Sequence, residues 1–509
     1  KSTRLLSFTF NTTQTMVLEF GDQYFRFHTQ GQTLFYTNGA AWSGSTTYAV
    51  GDIALYNGVN YYCVVAHTNS TPPHSSWYAM PTNPNVYEIP HPYLEAELFD
   101  VNYVQSADVI TLVHPNHAPR ELRRLGATQW ELRVIDFGSP LSPPTNVSSS
   151  MYIPSSTSTS TDTYVAHEYV VTAVKANLVD ESNQSAATNV NNNIFVTGAK
   201  NTISWNAVTG ASRYRVYKQQ GGIYGFLGET TGTSLVDDNI APDFSKTPPI
   251  HENDFVGSGN YPGAVSYFEQ RRVFAGTNNA PQNIWMTKSG TESNMSFGIP
   301  IRDDDRIEFR VAAREANTIR HIVPLTNLLM LTGSAEWRVT SVNSDAITPT
   351  SISVKPQSYV GANNAQPVIV NNSLVYAAAR GGHIRELGYN WQANGFITGD
   401  LSLRAPHLFD NFTIIDMALS KSPIPIVWQV SSSGKLLGLT YVPEQQIGAW
   451  HQHDTDGTFE SVACVSEGND DVTYCIIKRT INGASKRYVE RMGTRLFATQ
   501  RDNFFVDAG

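Results

Sequence analysis

Apolar and polar residues alternate along most of the chain, in short runs closed by Gly, Asn, Asp, Ser or Pro. Val170-Val171-Thr172-Ala173-Val174, Tyr214-Arg215-Val216-Tyr217 and Ile307-Glu308-Phe309-Arg310-Val311 are typical. A period of two turns alternate side chains to one face, as a half-buried strand requires. Turn residues recurring about every 8 to 12 positions then predict a mainly β, multidomain chain of sandwiches, barrels or propellers. Short helices are expected only around residues 92–99 and 119–125.

The pattern also divides the chain. Residues 1–37 read as strands at 5–10, 16–20 and 24–29, and 81–143 resume that character, so the two together are expected to form an N-terminal platform. Residues 38–80 are dense in aromatics and read as an inserted module. The Ser/Thr-rich segment 144–163 reads as a linker or long loop. It opens a unit at 144–250 whose remainder is strand-rich, and Pro248-Pro249 leads into 251–509, where apolar strand pairs recur loosely. Five or six propeller blades of about 40 to 50 residues each would fit that region, and so would one or two sandwiches.

Composition narrows the class. The 509 residues hold 35 Lys and Arg against 44 Asp and Glu, a net charge of −9, with 16% charged and 11% aromatic residues. So many aromatics with so little charge exclude a disordered chain. An acidic balance excludes a protein that grips nucleic acid over its whole surface. No apolar run approaches the roughly 18 residues of a membrane-spanning helix. Three cysteines do not make a disulfide scaffold. Cys464 and Cys475 could meet across a hairpin, but reduced core thiols are expected. The chain opens on Lys-Ser rather than Met, so its ends are expected to be processed or to lie further out.

Chemistry has few candidates. His91, Asp108, His114 and His117 invite a metal reading, but their spacing lacks the paired ligands of structural zinc sites. His451 and His453 share one face of a strand without an evident third ligand. Asp303-Asp304-Asp305 reads as a turn, since the spacing of a calcium loop is missing. No nucleophile elbow, zincin motif or phosphate loop occurs. No catalytic residue, metal or cofactor is therefore expected.

The inserted segment carries Trp42, Tyr48, Gly51-Asp52, Tyr56-Asn57-Gly58, Tyr61-Tyr62-Cys63, His67-Thr68 and Trp77-Tyr78. Asn57-Gly58 suits a tight hairpin turn with positive φ. So short a segment cannot build a large core, so its aromatics must serve as both core and surface. The frame A-W…Y-x-x-G-D…Y-N-G…Y-x-C…H-T…W resembles the small chitin- or cellulose-binding modules of bacterial glycosidases. That resemblance implies sugar rings stacked on exposed aromatics. Chitin-binding members carry a Trp in the loop after His-Thr, whereas 69–76 here has no aromatic. Stacking would fall to Trp42, Tyr61, Tyr62, Trp77 and Tyr78.

Two further resemblances follow. Ile203-Ser204-Trp205-Asn206-Ala207-Val208 with Ser212-Arg213-Tyr214-Arg215-Val216-Tyr217 resembles the middle of a fibronectin type III domain. A buried Trp205 and a later strand at 233–238 are implied. A longer series runs nearly the whole chain outside 38–80. It includes Leu18-Glu19-Phe20-Gly21, Glu121-Leu122-Arg123-Arg124, Asn260-Tyr261-Pro262-Gly263, Glu269-Gln270-Arg271-Arg272-Val273, Gln282-Asn283-Ile284-Trp285-Met286, Ala405-Pro406-His407-Leu408-Phe409 and Glu444-Gln445-Gln446. In that order these motifs resemble the tail nozzle, or tail tubular, proteins of short-tailed bacteriophages.

That resemblance implies a non-enzymatic structural protein of the virion tail, assembled as a ring of copies, typically six. It implies portal-adaptor proteins and tail fibres or spikes as partners, with viral DNA passing through the channel without sequence-specific binding. The 38–80 module adds a host glycan as a further partner. The alternatives are a glycan-binding adhesion protein or a polysaccharide-degrading enzyme with accessory modules.

Overall fold

The computed structural model describes residues 1–11, 13–154, 164–312, 317–342, 345–445, 447–497, 499 and 501. Residues 155–163 of the expected linker lie outside them. Among the described residues strands take 51% and helices 3%, which bears out the mainly β expectation.

Among the described residues, seven antiparallel sheets follow one another in a ring. Blade 1 consists of Arg4–Asn11, Gln14–Gly21, Tyr24–Thr29 and Glu88–Pro90, with the short strand Gln32–Thr33 also paired to Tyr24–Thr29. Blade 2 is Asn102–Ser106, Val109–His114, His117–Gly126 and Gln129–Val134, and blade 3 is Ala264–Phe268, Arg271–Ala275, Asn283–Met286 and Ile307–Arg310. Blade 4 is Ile319–Pro324, Leu328–Thr332, Glu336–Thr340 and Ser353–Ser358. Blade 5 is Val368–Val370, Ser373–Ala377, Ile384–Asn390 and Gly395–Asp400. Blade 6 is Ile414–Ser420, Ile426–Ser431, Leu436–Val442 and Ile447–His453, and blade 7 has three strands, Thr458–Glu467, Asp470–Ile481 and Ala484–Arg491.

Each blade buries an apolar layer against the next. Phe8, Leu18 and Phe27 of blade 1 meet Ile110, Leu122 and Trp130 of blade 2. Val113 packs with Phe274 and Trp285, Ile284 with Met330, Leu331 with Tyr376, Val375 with Leu439 and Trp428 with Val462. The seventh blade returns to the first, where Leu5 and Val17 pack with Ala463, Val465 and Tyr474. Polar contacts hold the same seam: Leu5 N–H donates to Ser461 Oγ at 2.9 Å and Thr15 Oγ1 to Ser466 O at 2.7 Å.

This closure changes the expected organisation. Residues 1–37 and 81–143 supply the first two blades rather than a separate platform, and 251–509 supplies the other five. The local pattern marked the strands correctly, but the seam joins residues more than 450 positions apart. The helix expected at 119–125 lies inside the strand His117–Gly126, with Leu122 buried in the blade 1–blade 2 layer. Around 92–99 only a single 3₁₀ turn, Glu95–Glu97, forms.

Two of the motif residues meet at a joint of this ring. The Arg272 side chain is fully buried and donates to Glu121 Oε1 at 2.9 Å, joining blades 2 and 3. Arg123 and Arg133 hold the other oxygen of Glu121 at 2.7 and 3.0 Å. Removing one member would strand a buried charge, so the pair ties blade 2 to blade 3. Asp303 and Asp304 are exposed, while buried Asp305 accepts from the N–H groups of Gly298 and Arg302 and from Lys288 Nζ. The acidic run is a turn, as its spacing implied.

Blade 2 also contacts the segment that leads into blade 5. Gln366 Nε2, before blade 5, donates to Tyr103 O of blade 2 at 2.8 Å. Asn364 Nδ2 reaches Asp100 Oδ1 at 2.9 Å.

Residues 148–154 and 164–237 form a sandwich between blades 2 and 3 in sequence. One sheet is Ser148–Tyr152, Lys200–Ser204 and Ser234–Asp237, the other Thr188–Asn192, Val165–Val174, Arg213–Gln220 and Ile223–Thr230. Trp205 is buried against Tyr214, Val216 and Val171, as the fibronectin-like reading implied. The wiring differs. Arg213–Gln220 pairs with Ile223–Thr230 after it and with Val165–Val174 on its other side; in immunoglobulin-like order that second partner also comes later in the chain, but here it precedes Trp205.

Candidate carbohydrate-binding face

The inserted module sits between Gln32–Thr33 and Glu88–Pro90 of blade 1. Its sheet runs Trp77–Ala79, Val59–Cys63, Ile53–Tyr56 and Ala40–Ala41, with a second small pair, Thr47–Tyr48 and His67–Thr68. Asn57 (φ 48°) and Gly58 (φ 78°) form the expected tight turn. The turn fixes the register: Ala54 faces Tyr61 and Tyr56 faces Val59. Trp77 faces Cys63.

Register decides what each aromatic does. One face of the sheet carries Ile53, Tyr62, Val64, Tyr78 and Met80, which all pack into the blade 1–blade 2 core. Tyr62 is buried and its hydroxyl donates to Trp130 O at 2.7 Å. Tyr78 is half-buried and its hydroxyl donates to Glu88. Burial lifts the Tyr62 phenol well above its ordinary value. The opposite face carries Ala54, Tyr61, Cys63 and Trp77, with Tyr48 from the small pair. Trp77 is buried, stands edge-on to Tyr48 and His67 at 4.9 Å, and donates from Nε1 to Ser70 O at 2.7 Å.

Two of the five expected stacking residues are thus buried, and one faces the propeller. Tyr62 and Tyr78 dock the module, and Trp77 is its core. Trp42 and Tyr61 remain half-exposed on the outer face. Tyr56, also half-exposed, joins them, with its ring edge-on to Trp42 at 5.6 Å. The signal for Tyr56 was present: across a two-residue turn at Asn57-Gly58 it shares the parity of Tyr61. Trp42, Tyr56 and Tyr61 are thus the partly exposed aromatics of the outer face.

The other chemical candidates are placed as follows. His91 is buried, its Nε2 donating to Tyr24 O at 2.9 Å and its Nδ1 accepting from Tyr93 N–H at 3.1 Å, so it is a satisfied core residue. Asp108 is exposed in a turn. His114 and His117 come together with Glu97, a residue that sequence spacing did not single out. His451 Nδ1 and His453 Nε2 lie 2.9 Å apart. Cys464 faces Thr473 and Cys475 faces Val462, and both thiols are free.

The profile of carbohydrate-binding module family 5/12 matches residues 41–88. That segment is similar to this family of sugar-binding modules, slightly beyond the expected 38–80. No curated protein matches the chain. Among solved structures, the WD40 repeats of RRP9 are 8% identical over 74% of this chain and 89% of that one, at a TM-score of 0.30. The Malassezia sympodialis allergen Mala s 1 is 9% identical over 59% and 92%, at 0.28. A luciferin-regenerating enzyme is 11% identical over 42% and 82%, at 0.20. Likenesses this distant carry no argument, and the propeller rests on the sheet order itself.

Proposed function

We propose that this chain is a structural virion protein, a ring-forming nozzle subunit of a short-tailed phage tail that continues the DNA exit channel and docks fibres. The observation that carries this reading is the ordered motif series. Two of its members, Glu121 and Arg272, meet as one buried ion pair between blades.

Gln366 and Asn364, just before blade 5, hydrogen-bond to Tyr103 and Asp100 at blade 2. The channel on this reading lies between copies. They contact one another heterologously through a rotation that closes, around a lumen wider than the roughly 20 Å of duplex DNA. DNA carries one charge per about 1.7 Å, and a basic lumen would retain it by counterion release. The net charge of −9 per copy suits passage instead. The lumen is expected to be lined by Asp, Glu, Ser, Thr, Asn and Gln. Portal-adaptor proteins and fibres or spikes are its partners. Sedimentation and electron microscopy of the purified chain with its adaptor test this. A closed ring of copies with an open lumen supports it, and a chain that stays monomeric beside its adaptor, or a lumen ringed by Arg and Lys, overturns it.

A second reading, adhesion to a host glycan, is favoured by the module match and by the face of Trp42, Tyr56 and Tyr61. It is compatible with the first. Retention on chitin beads, lost in Trp42→Ala, tests it, and equal retention of parent and variant sinks it.

A further inference from the structure

We propose that Glu97, His114 and His117 bind one divalent transition-metal cation, with zinc the best fit. Pro115-Asn116 is a two-residue hairpin turn that sets His114 directly opposite His117. Directly paired residues share a sheet face, and the two imidazole centroids are 5.2 Å apart. The 3₁₀ turn Glu95–Glu97 brings the third donor. Glu97 Oε2 lies 2.8 Å from His117 Nε2 and accepts the Leu94 N–H at 2.9 Å.

The ligand atoms of all three residues lie within 4.8 Å of one another. In a tetrahedral site with bonds of about 2.0–2.1 Å, ligand atoms sit roughly 3.4 Å apart, so shifts of about 1 Å close the set. Two imidazole nitrogens and one carboxylate oxygen suit zinc, nickel, cobalt or copper, and are wrong for calcium and magnesium, which take oxygen ligands.

The surroundings hold the donors in place. Tyr93 is fully buried and packs edge-on against His117 at 4.9 Å and His114 at 6.2 Å. Its hydroxyl is a buried polar atom with no hydrogen-bond partner, and a metal-bound water is the kind of partner it lacks. His114 also lines a cavity of about 480 Å³ together with Asp100, Asn116, Arg320 and Asn364, which gives ion and water a way in. Glu97 belongs to the connection between blades 1 and 2 and the histidines to blade 2, so the ion would staple that connection to the ring.

The test is zinc titration of the full chain without an affinity tag, after chelator treatment, by calorimetry and by thermal melting. One zinc per chain and a melting temperature raised by several degrees are expected. Glu97→Gln and His117→Gln should each weaken binding about tenfold or more and abolish the thermal shift, while melting cooperatively without zinc. His451→Gln, which breaks the other histidine pair, should leave both readouts unchanged. Absence of stoichiometric binding overturns the proposal. So does an unchanged zinc response in Glu97→Gln and His117→Gln, or a response lost in His451→Gln instead.

Discussion

Lowering the pH should loosen the ring through two buried histidines, and His91 is the better probe. Its ring is closed in by Phe20, Phe25 and Tyr93, and both nitrogens are engaged as the neutral tautomer. Burial pushes its pKa down to about 3. In the unfolded chain the value is about 6.5. Below that pH the unfolded chain takes up a proton that the folded chain refuses. The stabilisation is therefore complete above pH 6.5 and is lost as pH falls towards 3. At pH 5 the loss from His91 is about 2 kcal/mol, with a slope near 1.3 kcal/mol per pH unit. His321, held at about 4 by burial and donating to Asn363 O at 2.8 Å, contributes a similar amount. Together these are a large share of a typical domain's stability. Urea unfolding of the parent and His91→Gln between pH 8 and 5 isolates the effect. The substitution shifts the whole curve, but only loss of the proton linkage changes its slope. The variant should lose stability less steeply on acidification, by about 1 kcal/mol per pH unit. Parallel curves would refute the reasoning.

Other outcomes follow from the same contacts. Leu5→Ala, at the seam between the last and first blades, should cost about 2–5 kcal/mol in urea unfolding. A surface-like cost near zero would mean that the seam does not close. Trp77→Ala should lower the melting temperature of the chain, whereas Tyr61→Ala should spare it and weaken retention on chitin. Buried Cys63 and Cys475 should stay unlabelled by a thiol reagent until denaturant is added.

Strand positions were legible because period-two patterning is local. Tyr214-Arg215-Val216-Tyr217 and Ile307-Glu308-Phe309-Arg310 became strands as written. The grouping of strands was not local. Arg4–Asn11 looked like part of a separate platform because its neighbour, Thr458–Glu467, lies at the far end of the chain. Val165–Val174 gave no sign that it would pair with a strand beyond Trp205. The module shows the same division. Its frame was readable, and so was the turn at Asn57-Gly58. Tyr61 and Tyr62 differ by one position, and parity puts them on opposite faces. Which face docks is set by Trp130, some 70 residues away, whose carbonyl accepts the Tyr62 hydroxyl. Glu97 had no motif to mark it beside His114-Pro115-Asn116-His117, since the 3₁₀ turn that aims it is a product of packing.

The central claim is that copies of this chain enclose the route by which DNA leaves the particle. A density map of the assembled tail tests it most directly. The account predicts a closed ring of seven-bladed propellers around a lumen wider than about 20 Å, lined by acidic and neutral polar side chains. A tail in which this chain is an isolated appendage, or a lumen lined by Arg and Lys, would contradict it.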